Sequence, residues 1–495
     1  MNSAPTREEF AQINSSTTIP ESRLRFAGII SSVIFYSLLA LILLTAIPYG
    51  TVDPVPEAFF ECTVFALTVL GIVAGLLGGS WQIKGLRLLL PLLALVVFAF
   101  FQTLPLWGAA ATAGVEWRQA ISYDPYETRL FALKLLALTL ALALLLRHTS
   151  SRRRLRALIY VAIGVGVASA AFGLLRQTVQ RDAPTFAWLN LGREMGYAQF
   201  VNRNHFALLA EMSLGLTLGL LAARGVRRDR MLFYVAATFV LWTTLVLSNS
   251  RGGIFSMLGQ MIFAALIFVG VQGRSGTLAR EQGNHGWATR FGSSLIVRIA
   301  LAACLLVVVI VGMVLVGGDS VATRLGSVAG EIDRPVESAR SGERRLQIWN
   351  ATIQLIKAHP LSGSGFSGYK TAISKYHDAS GEVAPQEAHN DYLELVAGGG
   401  LIGLVLAAIF VIALGKAMLE QLRSTDSFRR AACLGAVTGI LAVAIHSLFD
   451  FGLHITVNAL VMVALVVIAT VNGQEETKKV KVERSKPAGF SPGVA

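Results

Sequence analysis

The stretch "AHNDYLELVAGGGLIGLVLAAIFVIAL", residues 388–414, passes from polar side chains into an apolar run long enough to cross a bilayer. A membrane-spanning helix needs about 20 mostly apolar residues. The chain of 495 residues, with 54% hydrophobic and 15% charged side chains, is far more apolar than a soluble domain. We predict an all-α integral membrane protein with about twelve transmembrane helices. They centre at residues 27–48, 58–78, 86–104, 129–146, 156–175, 205–223, 231–248, 253–272, 295–316, 392–415, 431–449 and 455–472.

Lysine and arginine residues orient these helices, because short cytoplasmic loops are rich in them. Most of the 43 such residues fall on one side when both termini are placed in the cytoplasm. The net charge of +13 indicates attraction to anionic membrane lipid. It does not indicate nucleic acid, whose binding requires a basic face with interleaved aromatic residues on a soluble module. The predicted segments are a cytoplasmic N-terminal segment 1–25, helices one to nine in 26–316, an external loop 317–390, helices ten to twelve in 391–472, and a basic cytoplasmic tail 473–495.

The long external loop contains a predicted amphipathic helix, "ERRLQIWNATIQLIKA", residues 343–358. Its apolar residues cover one half of the helix, so we expect it to lie along the outer membrane surface. Arg345 falls in the middle of this apolar half, one turn before Trp349, whereas Arg344 falls at its edge. A guanidinium in that position either binds an anion or reaches the lipid headgroups.

Two other polar stretches stand at the external ends of apolar runs. "SNSRGG", residues 248–253, places Arg251 at the membrane boundary, where an arginine is costly unless it faces a cavity or a partner. Its two glycines alternatively allow close helix packing. "FVNRNHFA", residues 200–207, adds Arg203 and Asn204 at the start of another helix. Asn204 either belongs to the site or caps that helix.

The opening stretch contributes a histidine and two carboxylates. Asp391 and Glu394 are spaced as a helix cap and its third residue, where negative charge is favourable. His389 precedes the helix and, when neutral, has a nitrogen that accepts a proton. We interpret His389 as a general base, with a structural histidine as the alternative. We predict no metal site, because these three side chains would diverge around a continuing helix. We also predict no cofactor.

A glycine-rich segment, "HPLSGSGFSGY" at residues 359–369, has GxGxxG spacing. The dinucleotide-binding fingerprint requires a strand before these glycines and a helix after them. An amphipathic helix precedes them in this chain, so we reject nucleotide binding. The glycines are interpreted as a turn whose backbone amides approach another group, with simple loop flexibility as the alternative.

The combination of these motifs resembles the O-antigen ligase and O-antigen polymerase superfamily of bacterial inner membranes. The resemblance rests on "SNSRGG", "RRLQIW", "AHPLSGSGFSGY", "AHNDYLELVAGGG" and "NRNHFA", in that family's order and spacing over roughly residues 190–450. It implies a GT-C-like membrane glycosyltransferase that needs no metal, with the loop 317–390 as its periplasmic catalytic loop. The donor would be a glycan on undecaprenyl pyrophosphate, and the acceptor would be lipid A core, a growing glycan or another hydroxyl.

The same resemblance assigns roles to residues of this chain. His389 matches the family's base, and Arg251 and Arg345 match its two arginines on the pyrophosphate. Gly400 matches the glycine that follows the histidine after ten residues. Arg203 is added as a further pyrophosphate contact, and Asn204, Arg344, Trp349 and Gly400 are supporting candidates. A flippase or transporter of the lipid-linked oligosaccharide is the alternative from another class.

Overall fold

The computed structural model describes residues 20–79, 83–106, 120–181, 183–281, 337–377 and 385–471, with the single positions 300, 303, 304 and 307. Side chains at 272–281 and 337–344 lie outside this description. Every regular element within the described residues is helical. The α-helices are α1 (Glu21–Leu44), α2 (Pro54–Gly78), α3 (Leu86–Gln102), α4 (Pro125–His148), α5 (Arg152–Val179), α6 (Arg203–Ala222), α7 (Met231–Leu247), α8 (Arg251–Glu281), α9 (Glu337–Ala358), α10 (Tyr369–Ile373), α11 (Asp391–Leu422), α12 (Ser427–His446) and α13 (Thr456–Thr470).

The described part of the chain has the all-helical, membrane-type architecture that its sequence predicts. Nine of its helices are long and apolar enough to cross a membrane, and α3 and α13 are shorter apolar helices. Eleven of the predicted apolar runs coincide with these helices. The remaining run, 295–316, lies outside the described residues apart from four positions, so the total of about twelve helices stays a prediction.

Helix α6 lies at the centre of the bundle and packs against α5, α7, α8, α12 and α13. Its contact with α12 is close because both helices have two glycines spaced four residues apart. A Cβ atom at Gly215 would lie 2.6 Å from the backbone nitrogen of Gly439, and one at Gly219 would lie 2.5 Å from Cα of Gly435. Such small-residue pairs allow two membrane helices to approach backbone to backbone.

Helix α11 is interrupted at Gly400, whose backbone angles are φ 59° and ψ −157°. The interruption exposes backbone groups of α11, and the glycine-rich segment pairs with them. Ser364 N donates to Ala397 O at 2.8 Å, and Leu401 N donates to Pro360 O at 2.8 Å. Backbone groups buried in a membrane protein need such partners.

The side chain of Gln102, at the end of α3, clamps this junction. Its amide nitrogen donates to the carbonyls of Ser362 at 2.7 Å and Gly398 at 2.8 Å, and its amide oxygen accepts from Phe366 N at 3.1 Å. The glycine-rich segment thus uses its backbone to join α3 and α11. This bears out the interpretation that its amides approach another group, which is the interrupted helix.

Candidate active site

His389 lies just before α11 and adopts a left-handed backbone conformation with φ 49°. The next residue, Asn390, is the N-cap of α11, and its side-chain oxygen accepts from the backbone N–H groups of Tyr392 and Leu393, both at 3.0 Å. Asn390 Nδ2 also donates to Leu448 O at 3.1 Å. These bonds fix the start of α11 against the segment that follows α12.

The imidazole of His389 is paired with a carboxylate from that segment. Its Nδ1 lies 3.1 Å from Oδ1 of Asp450, and the two side chains are 35% and 1% exposed. Burial opposes ionisation of Asp450, but the hydrogen bond from His389 and the positive field of nearby histidines hold the pKa of Asp450 well below its usual range. Asp450 is therefore an acceptor, so Nδ1 of His389 carries a proton and Nε2 presents a lone pair when the ring is neutral.

Phe451 brings three histidines to the same end of the bundle. The centroid of its ring lies 5.0 Å from that of His205, 5.1 Å from that of His389 and 5.8 Å from that of His454, each in an edge-to-face arrangement. Such contacts limit ring rotation. His389 is thus held by Asp450 on one atom and by Phe451 on its ring.

An acidic group lies beside this pair. Nε2 of His454 lies 3.4 Å from Glu394 and 4.0 Å from Asp391, and Nδ1 lies 3.9 Å from Glu387. Burial, reinforced by the charge and hydrogen bond of Glu394, raises the pKa of Glu387 to about 9. At neutral pH Glu387 therefore keeps its proton, which reduces the negative charge of the group.

The acidic group also bears on two predictions, the absence of a metal and the cap of α11. Ligand atoms of Glu387, Glu394 and His454 lie within 4.8 Å of one another, a spacing that a metal ion requires. His389 is not among them, and the absence of a metal stays a prediction.

The expectation that Asp391 caps α11 is wrong, because Asn390 does so and Asp391 accepts from Ser447 Oγ at 2.6 Å. The helix starts one residue earlier than a cap at Asp391 requires.

Arg203 and Arg251 are the first residues of α6 and α8, and both side chains are exposed. Ser250 Oγ donates to Asn204 Oδ1 at 2.8 Å, which ties these two helix starts together. The alternative role of Asn204 as the cap of α6 is wrong, because Asn202 caps it and accepts from Asn204 N at 2.9 Å. Asn204 instead joins the two arginine-bearing termini.

Helix α9 contributes two of the predicted site residues, Arg345 and Trp349. Trp349 Nε1 donates to Ala388 O at 3.0 Å, directly before His389. The packed side of α9 contains Ala351, Thr352 and Leu355, and Arg345 is half-buried within the same arc of the helix. Arg345 therefore points to the protein-facing side and not to the membrane-facing side that the sequence suggested. The side chain of Arg344 lies outside the described residues.

A second histidine–carboxylate pair lies deeper in the bundle and was missed by the sequence analysis. Nδ1 of His446, on α12, lies 2.9 and 3.1 Å from the carboxylate oxygens of Glu211 on α6, and both side chains are fully buried. A Cβ atom at Gly252 would lie 3.5 Å from Nε2 of His446. The glycines after Arg251 therefore permit the start of α8 to pack against this pair. An ionisable residue inside an apolar run, such as Glu211, was the available signal.

Asp450 was also missed, although "HSLFDFG", residues 446–452, places a carboxylate at the end of an apolar run.

The fold and site together define a multi-pass membrane protein with a histidine–carboxylate pair and exposed arginines at one end of its helix bundle. Residues 236–408 match the family model described as O-antigen ligase. This match confirms the resemblance to the O-antigen ligase and polymerase superfamily and indicates glycosyl-transfer activity.

The matched segment contains Arg251, Arg345 and His389. Arg203 and Asp450 lie outside it, and it is the structure that associates them with the same end of the bundle. No curated protein matches the chain. The match to the family model implies, in general terms, a lipid-linked glycan donor and a glycan acceptor.

Proposed function

We propose that this protein is an inverting, metal-independent glycosyltransferase of the bacterial inner membrane. It moves a glycan from undecaprenyl pyrophosphate to an acceptor hydroxyl at the periplasmic face, with both termini in the cytoplasm. The acceptor is lipid A core or a growing glycan, which makes the enzyme an O-antigen ligase or a surface-polysaccharide polymerase. The observation that carries this proposal is the His389–Asp450 pair, which leaves Nε2 of a partly exposed histidine as a proton acceptor.

The chemistry is a single displacement at the anomeric carbon. Nε2 of His389 takes the proton of the acceptor hydroxyl while that oxygen forms a bond to the anomeric carbon. The bond from this carbon to the pyrophosphate breaks, and the pyrophosphate leaves with the electron pair. Asp450 keeps the proton on Nδ1 and stabilises the imidazolium that forms. Attack opposite the leaving group inverts the anomeric configuration.

Arginine side chains stabilise the negative charge that grows on the departing pyrophosphate. We assign Arg251 and Arg345 to this role, with Arg203 as a further contact, because guanidinium groups match phosphate oxygens in pairs. The hydrogen bond between Asn204 and Ser250 supports this assignment by holding the starts of α6 and α8 together. Trp349 and Gly400 are supporting residues: Trp349 holds the segment before His389, and Gly400 permits the junction with the glycine-rich segment.

Transfer by the purified protein in nanodiscs tests the proposal. The donor is undecaprenyl pyrophosphate-linked glycan, offered with lipid A core or without a second acceptor. Product on lipid A core identifies a ligase, and a ladder of longer lipid-linked chains identifies a polymerase. His389→Ala is expected to abolish both products. His454→Ala is the matched comparison, since it removes another imidazole from Phe451, and we expect it to retain transfer. Equal product from wild type and His389→Ala would exclude His389 as the base.

The doubled arginine in α9 provides a second matched test. We expect Arg345→Ala to reduce transfer strongly and Arg344→Ala to reduce it less, because Arg345 lies on the packed side of α9. Competition by inorganic pyrophosphate provides a binding measurement separate from turnover. If Arg344→Ala and not Arg345→Ala loses both transfer and competition, the assignment within this pair is reversed.

A flippase for the same lipid-linked oligosaccharide is a second candidate, and two observations favour retaining it. Broken helices and buried charges are typical of transporters, and this chain has the interruption at Gly400 and the Glu211–His446 pair. Movement of fluorescent lipid-linked glycan across proteoliposomes distinguishes the two functions. A flippase retains this movement in His389→Ala, whereas a transferase loses its product.

A further inference from the structure

A basic cavity lies at the opposite end of the bundle from His389. Helices α6 and α12 have their candidate-site ends at Asn202 and His446, and the cavity lies at their other ends. It has a volume of about 210 Å³ and is enclosed by the start of α5, the segment between α6 and α7, and the start of α12. Five arginines line it: Arg152, Arg156, Arg224, Arg227 and Arg230.

Aromatic rings hold several of these arginines in place. The guanidinium carbons of Arg152 and Arg156 lie 4.9 and 5.0 Å from the centroid of the Phe428 ring. That of Arg230 lies 5.6 Å from the centroid of the Tyr160 ring. Cation–π contact of this kind orders a guanidinium without neutralising it. Arg230 also donates one N–H group to the hydroxyl oxygen of Tyr160. Its other N–H groups, and those of Arg152 and Arg156, can donate to an anion.

Few carboxylates balance this charge within the described residues. Asp229 pairs with Arg227 at 3.1 Å, and both side chains are largely exposed. Asp426, near the start of α12, pairs with the buried Arg429 at 3.5 Å, so it is already matched by another arginine. Like charges collected in one cavity repel each other unless an anion joins them. The positive-inside rule explains basic residues on one membrane side, but not the convergence of three separate segments on one cavity.

The backbone at Arg224 places an arginine where glycine is usual. Gly225 N donates to Leu220 O at 2.8 Å and Arg224 N donates to Leu221 O at 3.1 Å, which is the Schellman ending of α6. Arg224 occupies the left-handed position of this motif with φ 56°, a conformation that is unfavourable for a non-glycine residue. Gly225 packs against Cβ of Ala431, so the turn is fixed on α12.

The surroundings of the cavity favour a lipid over a free anion. Helix α7 begins next to Arg230, and its first residues Leu232 and Phe233 are 81% and 64% exposed. These side chains offer an apolar surface for acyl chains beside the arginines. Anionic lipids are enriched at the cytoplasmic leaflet, which is the predicted location of this end of the bundle. Basic pockets between membrane helices on that side bind phosphate headgroups.

We propose that the cavity lined by Arg152, Arg156, Arg224, Arg227 and Arg230 binds the phosphate headgroup of an anionic phospholipid. The guanidinium groups bind the phosphate oxygens, and the acyl chains lie along the exposed start of α7. This site is separate from the proposed transfer reaction and does not depend on it. A phospholipid bound there stabilises the junction of α5, α7 and α12.

Thermal unfolding of the full-length protein in detergent, with and without added phospholipid, tests the proposal. Phosphatidylglycerol is compared with phosphatidylcholine of identical acyl chains, and inorganic phosphate is added alone in a third arm. We expect phosphatidylglycerol to raise Tm of the wild type more than phosphatidylcholine does. The variant Arg156→Gln with Arg224→Gln should lose this difference.

The matched control is Arg153→Gln with Arg228→Gln, which removes two exposed arginines from the same two segments without touching the cavity. We expect it to keep the full shift. Loss of the shift in both double variants, or in neither, overturns the proposal, because the effect would then be one of net charge or of another site. An equal shift from inorganic phosphate alone would also overturn it, in favour of a free-phosphate site.

Arg224→Gly separates binding from folding. Glycine suits the left-handed position, so this variant should unfold at the wild-type Tm or higher when no lipid is added. Its shift with phosphatidylglycerol should nevertheless be smaller than that of the wild type. An unchanged shift in Arg224→Gly would exclude Arg224 from the site and overturn the proposed set of arginines.

Discussion

The molecule contains two histidine–carboxylate pairs whose geometry is nearly the same and whose surroundings differ. His389 and Asp450 are 3.1 Å apart at the end of the bundle, where the imidazole is 35% exposed. His446 and Glu211 are 2.9 Å apart between α12 and α6, where both side chains are almost completely buried. A histidine exchanges protons with a substrate only if its free nitrogen can be reached. Exposure, and not the hydrogen bond itself, therefore separates the candidate base from a structural pair.

The deeper pair has a different physical consequence. A histidine–carboxylate pair buried between membrane helices stabilises little relative to well-packed apolar residues, but removal of one partner leaves the other buried and unpaired. The glycine contacts between α6 and α12 leave little room for rearrangement around Glu211. We infer that the His446–Glu211 pair governs folding and the His389–Asp450 pair governs turnover. The predictions below test this division.

Asp450→Asn should produce the largest effect. An amide can either accept from Nδ1 of His389 or donate to it, so it no longer fixes the tautomer that leaves Nε2 as the acceptor. We expect the transfer rate to fall by about 10²–10⁴-fold, the usual contribution of a positioned general base. Thermal unfolding should change little because the substitution conserves shape. Wild-type turnover in a folded Asp450→Asn variant would contradict the role given to the pair.

Glu211→Ala should destabilise the protein by about 1–3 kcal/mol, the usual cost of leaving a buried polar group without its partner. The measurement is Tm in detergent together with the yield of monodisperse protein. The double variant Glu211→Leu with His446→Leu is the control, because it removes both buried polar groups and should recover part of the loss. If Glu211→Ala folded with wild-type Tm and lost transfer, the deeper pair would belong to the chemistry.

The contrast between the pairs also shows what sequence reasoning can reach. Apolar runs and the amphipathic pattern of α9 are local, so they predict eleven of the helices and place Arg345 near Trp349. His389 was found because it stands beside an apolar run. Its partner lies 61 residues away in the chain. The partners Glu211 and His446 are 235 residues apart. Only the packing of α6, α11 and α12 brings such residues together.

Smaller errors have local causes. A one-residue difference in the start of α11 transfers the cap from Asp391 to Asn390, and helix ends are seldom predictable to one residue. The sequence does not indicate which of the three consecutive glycines, 398–400, leaves the helical conformation. That choice depends on the segment 360–366, whose backbone pairs with the interrupted helix.

Trp349→Phe should have a moderate effect on turnover, acting only through the His389–Asp450 pair. It removes the hydrogen bond from Nε1 to Ala388 O, worth about 1 kcal/mol, and loosens the backbone that precedes His389. We expect kcat to fall severalfold while KM changes little. The control is Trp242→Phe on the exposed side of α7, which should not alter kcat. If both substitutions lowered kcat equally, Trp349 would have no specific role in positioning His389.

The smallest effect should come from Glu387→Gln and should depend on pH. Burial and Glu394 raise the pKa of Glu387 from 4.5 to about 9, so the folded protein holds this proton where the unfolded chain has lost it. The wild type binds more protons when folded between these values, and the contribution of Glu387 to its stability therefore falls as the pH rises through that window. A neutral glutamine removes this dependence.

Tm of Glu387→Gln should match that of the wild type near the acid end of the window and exceed it increasingly toward pH 9. Glu211→Gln, measured over the same range, provides the comparison with the deeper pair. A constant Tm difference between Glu387→Gln and the wild type would mean that Glu387 is ionised in the folded protein. The acidic group beside His389 would then carry full negative charge, and an anionic donor could approach it only with further compensation by arginines such as Arg251.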